Sequence, residues 1–176
     1  MDNGKSSNEL TTHRIAVSYI DKSRDFYSAQ GYGKPYRWAS NLETSFTRLK
    51  KPLNQCRVGL VTTATIPKPG VSLEHDPGLL KTTALFSAPS DPTPEALYTM
   101  DRSWDKEATH TMDLGSFFPL DHLKSFVEQK IIGSVSPRFY GVPTDYSQSR
   151  TSKKYAPEIY EQMQEDKVDI ALLVPL

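Results

Sequence analysis

Apolar positions in this chain change their spacing along its length, and each spacing predicts a different element. Ile15, Tyr19 and Phe26 recur with Ser23 at three- to four-residue steps, the period of a helix, which should stop near Gly31-Tyr32-Gly33. Tyr36, Trp38, Phe46 and Leu49 follow without a period and read as an aromatic-anchored segment crossing toward a sheet. Residues 57–64 predict the first strand. Its unbroken apolar centre, Val58 to Val61, suits burial on both faces, as in a parallel sheet. Residues 66–99 then hold six prolines and predict a long irregular excursion, with a short hairpin around Thr82 to Phe86.

The second half is more regular. Pro119 fits a first helical turn and Asp121 its positive end, and Leu120, Leu123, Phe126 and Val127 make one stripe over residues 120–130. Residues 131–136 predict a second strand, ended by Pro137. A loop over residues 138–154 leads to a helix with Pro157 early and Tyr155, Ile159 and Met163 on one face. Residues 168–174 predict a third strand. Helix, strand, helix, strand with short joints implies parallel strands and crossover helices. The expected fold is therefore α/β: three layers, with a small, mostly parallel sheet. Residues 1–10 are polar and read as a disordered tail, and residues 11–176 as a single domain.

Composition narrows the classes of function. A chain of 176 residues with 37% hydrophobic and 10% aromatic content can build one core. Lysine plus arginine (21) balance aspartate plus glutamate (21), which disfavours nucleic acid and anionic lipid as partners. The single cysteine, Cys56, cannot close an internal disulfide, and residues 1–10 lack the apolar core of a signal peptide. No apolar run approaches the ~20 residues that cross a bilayer. A soluble, cytoplasmic protein is expected.

Several segments, in order, resemble one family. They are Phe26-Tyr27 through Tyr36-Arg37-Trp38, Leu49-Lys50-Lys51-Pro52-Leu53, and Arg57-Val58-Gly59-Leu60-Val61-Thr62-Thr63. Thr109-His110-Thr111-Met112-Asp113 comes next, with Phe118-Pro119-Leu120-Asp121-His122-Leu123 close behind. Ile132-Gly133-Ser134-Val135-Ser136-Pro137-Arg138-Phe139-Tyr140-Gly141 follows, then Ala156-Pro157-Glu158 and finally Asp169 to Pro175. Together they resemble the selenoprotein B subunits of the glycine, sarcosine, betaine and D-proline reductases. The resemblance covers most of residues 26–175.

The resemblance implies reductive cleavage of a carbon–nitrogen bond in a small amino acid or methylated amine. It implies a selenocysteine or cysteine just after the segment matching Val168 to Val174, and other reductase subunits as partners, one of them able to carry a pyruvoyl group. A selenolate or thiolate would be the nucleophile. No such residue lies within the chain, so the catalytic residue is expected just after Leu176, and the chain reads as the N-terminal part of a longer subunit, inactive alone. No cofactor and no metal is expected in this chain. Rival readings are a non-catalytic scaffold part of such a complex, or an unrelated racemase-like small-ligand enzyme sharing only the frame.

Candidate substrate-binding residues are Thr62, Thr63, His110, Arg138 and Tyr140. Thr62 and Thr63 end the first strand, where hydroxyls and amides can hold a carboxylate, although threonine also favours strands and caps turns. Arg138 matches the family's Pro-Arg-Phe-Tyr segment and can clamp a carboxylate or lower a selenol's pKa, or else pair with an acid such as Asp145. Tyr140 is a hydrogen-bond donor for the same crevice, or a core ring. His110 and Asp113, at i and i+3, can form an acid–base pair, while no third ligand stands at a metal spacing, and Asp113 alone suits a helix cap. Tyr32, Tyr36 and Trp38 can hold a quaternary ammonium, or pin the first helix. Cys56 reads as a small buried hydrophobe.

Overall fold

The computed structural model describes residues 21–22, 24–33, 43, 45, 47–66, 84–98, 112–145 and 147–175. These divide into two compact units, Met1–Ser45 and Phe46–Leu176. In the first, residues 24–29 are helical and Gly31 ends the helix at φ 85°, with the Tyr32 amide donating back to the Tyr27 carbonyl at 3.2 Å. That six-to-one closure needs a left-handed residue, which glycine supplies without a Cβ penalty.

The second unit is a small α/β fold with a mixed five-stranded sheet. Its strands are β1 (Arg57–Thr62), β2 (Phe86–Pro89), β3 (Ser134–Val135), β4 (Arg138–Gly141) and β5 (Ile170–Val174). Among the described residues, the helices α1 (Leu120–Glu128) and α2 (Ala156–Glu165) pack against it. β1 pairs in parallel with β3, β4 and β5, and β2 runs antiparallel to β4. β5 runs beside β1 from Val58↔Ile170 to Thr62↔Val174. β3 and β4 therefore share the opposite edge of β1.

β3 and β4 are one strand broken by a bulge. From Val135 to Tyr140 the chain advances five positions while β1 advances three, from Val58 to Val61. Ser136 still donates to the Val58 carbonyl at 2.8 Å, but Pro137 has no amide to continue the ladder. The expected end at Pro137 is thus an interruption, and the loop expected from residue 138 begins as a strand. Residues 131–133 also differ from expectation, because they lie in the turn between α1 and β3. Lys130 turns left-handed at φ 60°, and the Ile131 amide returns to the Phe126 carbonyl at 2.9 Å. α2 ends in the same way, with Lys167 at φ 55° and Val168 donating to Met163 at 2.9 Å. Within the expected hairpin, residues 82–83 lie outside the described residues, and Phe86 begins β2 against β4.

Alternation along β1 and β4 divides the core between two layers. Val58, Leu60 and Phe139 pack with Phe118, Leu120 and Leu123 on the α1 side. Val61 and Tyr140 pack with Ile159 and Met163 on the α2 side. The Phe139 ring meets Phe118 edge-on at 4.8 Å and Phe86 at 6.1 Å, arrangements worth about 0.5–1.5 kcal/mol each beyond burial. Gly59 keeps the α2 side open for this packing, since a Cβ there would lie 3.0 Å from Val168 Cγ1 and 3.3 Å from Tyr140 Cε2. Among the described residues no helix is long and apolar enough to cross a membrane.

Candidate functional site

In a parallel sheet the strand amides and following loops at the carboxyl ends point to one edge, where ligands collect. Here that edge carries Thr62 and Thr63 after β1, Val142 after β4, and Val174 and Pro175 at the end of β5. Between it and α2 lies a half-open cavity of about 430 Å³. The size is ordinary for a small-molecule site. The described residues that line it present almost entirely carbon, and none of them is charged.

The far wall comes from the helical segment before and within α2. Ser147 caps its start, accepting from the Arg150 amide at 3.3 Å, and Gln148–Arg150 gives way to a wider π turn at Thr151–Tyr155. Pro157 follows within the first turn of α2 and has no amide to return to the preceding turn. The wide turn accommodates it and sets both Thr151 and Tyr155 on the cavity wall. Tyr155 is held there by its hydroxyl, which donates to Asp145 Oδ2 at 2.8 Å. Asp145 also accepts from Arg150 at 2.6 Å and from the Ser147 amide at 3.0 Å. Burial opposes its charge, but these three donors outweigh burial and hold its pKa below the ordinary carboxylate value.

A second polar cluster lies at the other end of β4. Arg138 Nε donates to Asp166 Oδ2 at 2.6 Å, and another guanidinium nitrogen donates to Glu165 at 2.7 Å. Tyr140, fully buried, donates its hydroxyl to the same Asp166 oxygen at 2.6 Å and lies 3.1 Å from the Ser136 hydroxyl. Burial, then the bond to Asp166, pushes the Tyr140 phenol up to about 12. The bond to Asp166, then that to Glu165, raises Arg138. Burial works against the Asp166 charge, yet its bonds from Arg138 and Tyr140 prevail and its pKa is lowered. Arg57 completes the cluster, donating to the Asp166 carbonyl at 2.5 Å.

The residues singled out in the sequence are thus divided. Thr62 and Thr63 reach the cavity. Thr62 is buried and its Oγ1 accepts from the Ala64 amide at 3.0 Å, the turn-capping role that threonine takes at strand ends. Arg138 sits three residues before Gly141, the partner of Thr62, which is about 10 Å along the strand. The expected carboxylate clamp is not formed, because the Arg138 guanidinium is turned to the end of α2 and bound by acids there. Its partners are Asp166 and Glu165, not Asp145. Tyr140 does not line the cavity either. Its ring packs behind the wall with Val61, Ile159 and Met163, and its hydroxyl points to Asp166. His110, Tyr36 and Trp38 lie outside the described residues, and the Asp113 side chain accepts no capping hydrogen bond. Tyr32 is exposed in the first unit. Cys56 is fully buried, its thiol directed at the Pro52 carbonyl 3.3 Å away, as a packed hydrophobe would be.

Sequence reasoning missed most of the wall. The stripe of Tyr155, Ile159 and Met163 is visible, but a stripe does not say that one side of it is left open. Val142 and Leu173 carry no chemical signal at all. Among the described residues no group of three potential metal ligands comes together. No protein-family model, curated protein or solved structure matches the chain.

Proposed function

We propose that this chain forms part of a selenol- or thiol-dependent reductase subunit that cleaves the carbon–nitrogen bond of an amino acid or amine, and that its cavity is the substrate-facing wall. What supports the reading most is the delivery of the end of β5, Val174 and Pro175, to the rim of the cavity beside Thr62 and Val142. The reductase resemblance puts the nucleophile directly after the segment that forms β5. A selenolate or thiolate there would meet a substrate in an apolar, poorly hydrated site, where an anion is more reactive than in water. Thr62 and Thr63 line the same rim. The Arg138–Asp166–Tyr140 cluster has a supporting part, fixing α2 on the sheet so that the wall keeps its shape. A reducing compartment such as the cytoplasm suits this chemistry, as do reductase subunits that supply a pyruvoyl group or electrons.

A non-catalytic scaffold part of such an assembly is the second reading, favoured by the apolar character of the described lining residues. One assay separates the two. The gene product is isolated with its natural partners from selenium-supplied cells and incubated with amino acids or amines and dithiothreitol. Ammonium or amine release matched to dithiol oxidation, and abolished by iodoacetamide, is the expected result. Absence of release from every substrate removes the reductase proposal and leaves the scaffold.

A further inference from the structure

We propose that the cavity under α2 takes the hydrocarbon side chain of a branched or aromatic amino acid, so that the reaction is directed to substrates larger and less polar than glycine, sarcosine or betaine. The reaction itself rests on the reductase reading above; the substrate class rests on the cavity.

The cavity measures about 430 Å³. Glycine has no side chain to fill such a space, and the walls offer water few partners. Val61, Val142, Ile159, Met163, Leu173 and Val174 present carbon. A charged ammonium or carboxylate drawn among them would lose its hydration without gaining a partner. The charged end of a substrate must therefore stay at the mouth while a hydrocarbon group enters.

With the hydrocarbon side chain inward, the carbon–nitrogen bond faces the rim at Thr63 and Pro175. The net reaction balances with a dithiol as reductant: R–CH(NH3+)–COO− and the dithiol give R–CH2–COO−, ammonium and the disulfide. The bond broken is carbon–nitrogen, and the two electrons and two protons come from the dithiol.

Two measurements test this. The native complex is supplied with glycine, sarcosine, betaine, leucine and phenylalanine (both enantiomers of the last two) in dithiothreitol, and product release is followed. A kcat/KM at least about tenfold higher for leucine or phenylalanine than for glycine is expected, since each methylene in an apolar pocket is worth 10-fold or more. Separately, binding of 4-methylpentanoate to the 176-residue chain is titrated by calorimetry, with Ala171→Phe as the variant that fills the cavity from an exposed position on β5. Saturable binding that the variant loses at unchanged Tm supports the site. Faster cleavage of glycine or betaine overturns the substrate class and leaves the reductase reading intact. No cleavage of any substrate overturns the reductase reading, and the binding titration then decides the site alone: no saturable binding to the wild-type chain ends the proposal.

Discussion

Asp166 joins three elements through one residue. Its carboxylate accepts from Arg138 and Tyr140 on β4, and its carbonyl accepts from Arg57 on β1, while it caps α2 itself. Removing one partner of a buried ion pair costs about 3–5 kcal/mol, but Arg138 is 30% exposed and water softens the loss. Asp166→Asn is expected to cost about 2 kcal/mol in urea unfolding, with little change in m. The pH dependence follows from the same contacts. The folded pKa of Asp166 lies below its ordinary 3.8, so its contribution is complete above that value and is lost as pH falls through the lowered one. The wild-type protein should lose stability below about pH 4 more steeply than Asp166→Asn, as followed by acid titration of unfolding. Tyr140 acts at the other limit. Its phenol is raised to about 12, so its contribution is intact below pH 10 and falls as pH climbs from 10 toward 12. Tyr140→Phe should flatten that alkaline limb.

At the scale of elements, α1 and α2 are each followed by a left-handed lysine. Lys130 and Lys167 occupy the position that Gly31 fills in the first unit, and each is followed by an apolar residue whose amide closes the six-to-one bond. A side chain in that conformation costs about 1 kcal/mol relative to glycine. Lys130→Gly should therefore raise stability by about 0.5–1 kcal/mol in chemical unfolding; a loss would mean that the lysine side chain contributes more than its backbone strain. The β4–β2 pair makes the opposite demand. A Cβ on Gly141 would lie 1.9 Å from Cε1 of Phe86, so Gly141→Ala should destabilise by about 1–3 kcal/mol. Because the clash is with one ring, Phe86→Ala should restore part of that loss in the double variant, a coupling that unfolding of all four proteins measures.

Among the described residues of the second unit, β5 forms an edge of the sheet. Among the described residues β5 is paired only with β1, and Leu173 is 69% exposed beside the cavity. An apolar edge strand with an open ladder is a template for association. The chain should self-associate with rising concentration, and Leu173→Lys should suppress this in sedimentation velocity without lowering Tm. Unchanged association in that variant would move the sticky surface away from β5.

Much of the α/β frame was legible before any coordinates, for a physical reason. β1 is buried on both faces, so Val58 to Val61 had to be an apolar run, and α1 and α2 are each buried on one side, so their stripes had to repeat at the helical period. Those patterns are local consequences of burial and can be read one segment at a time. Where the strand resumes after Pro137, which acid Arg138 meets, and that the stripe of Tyr155, Ile159 and Met163 stands partly clear of the sheet are settled by residues far apart in the chain. Arg138 and Asp166 are 28 positions apart, and β1 and β5 more than 100. Long-range pairing leaves no period in a single sequence, so tertiary structure alone chose between a carboxylate clamp and a latch on α2, and only tertiary structure opened the cavity.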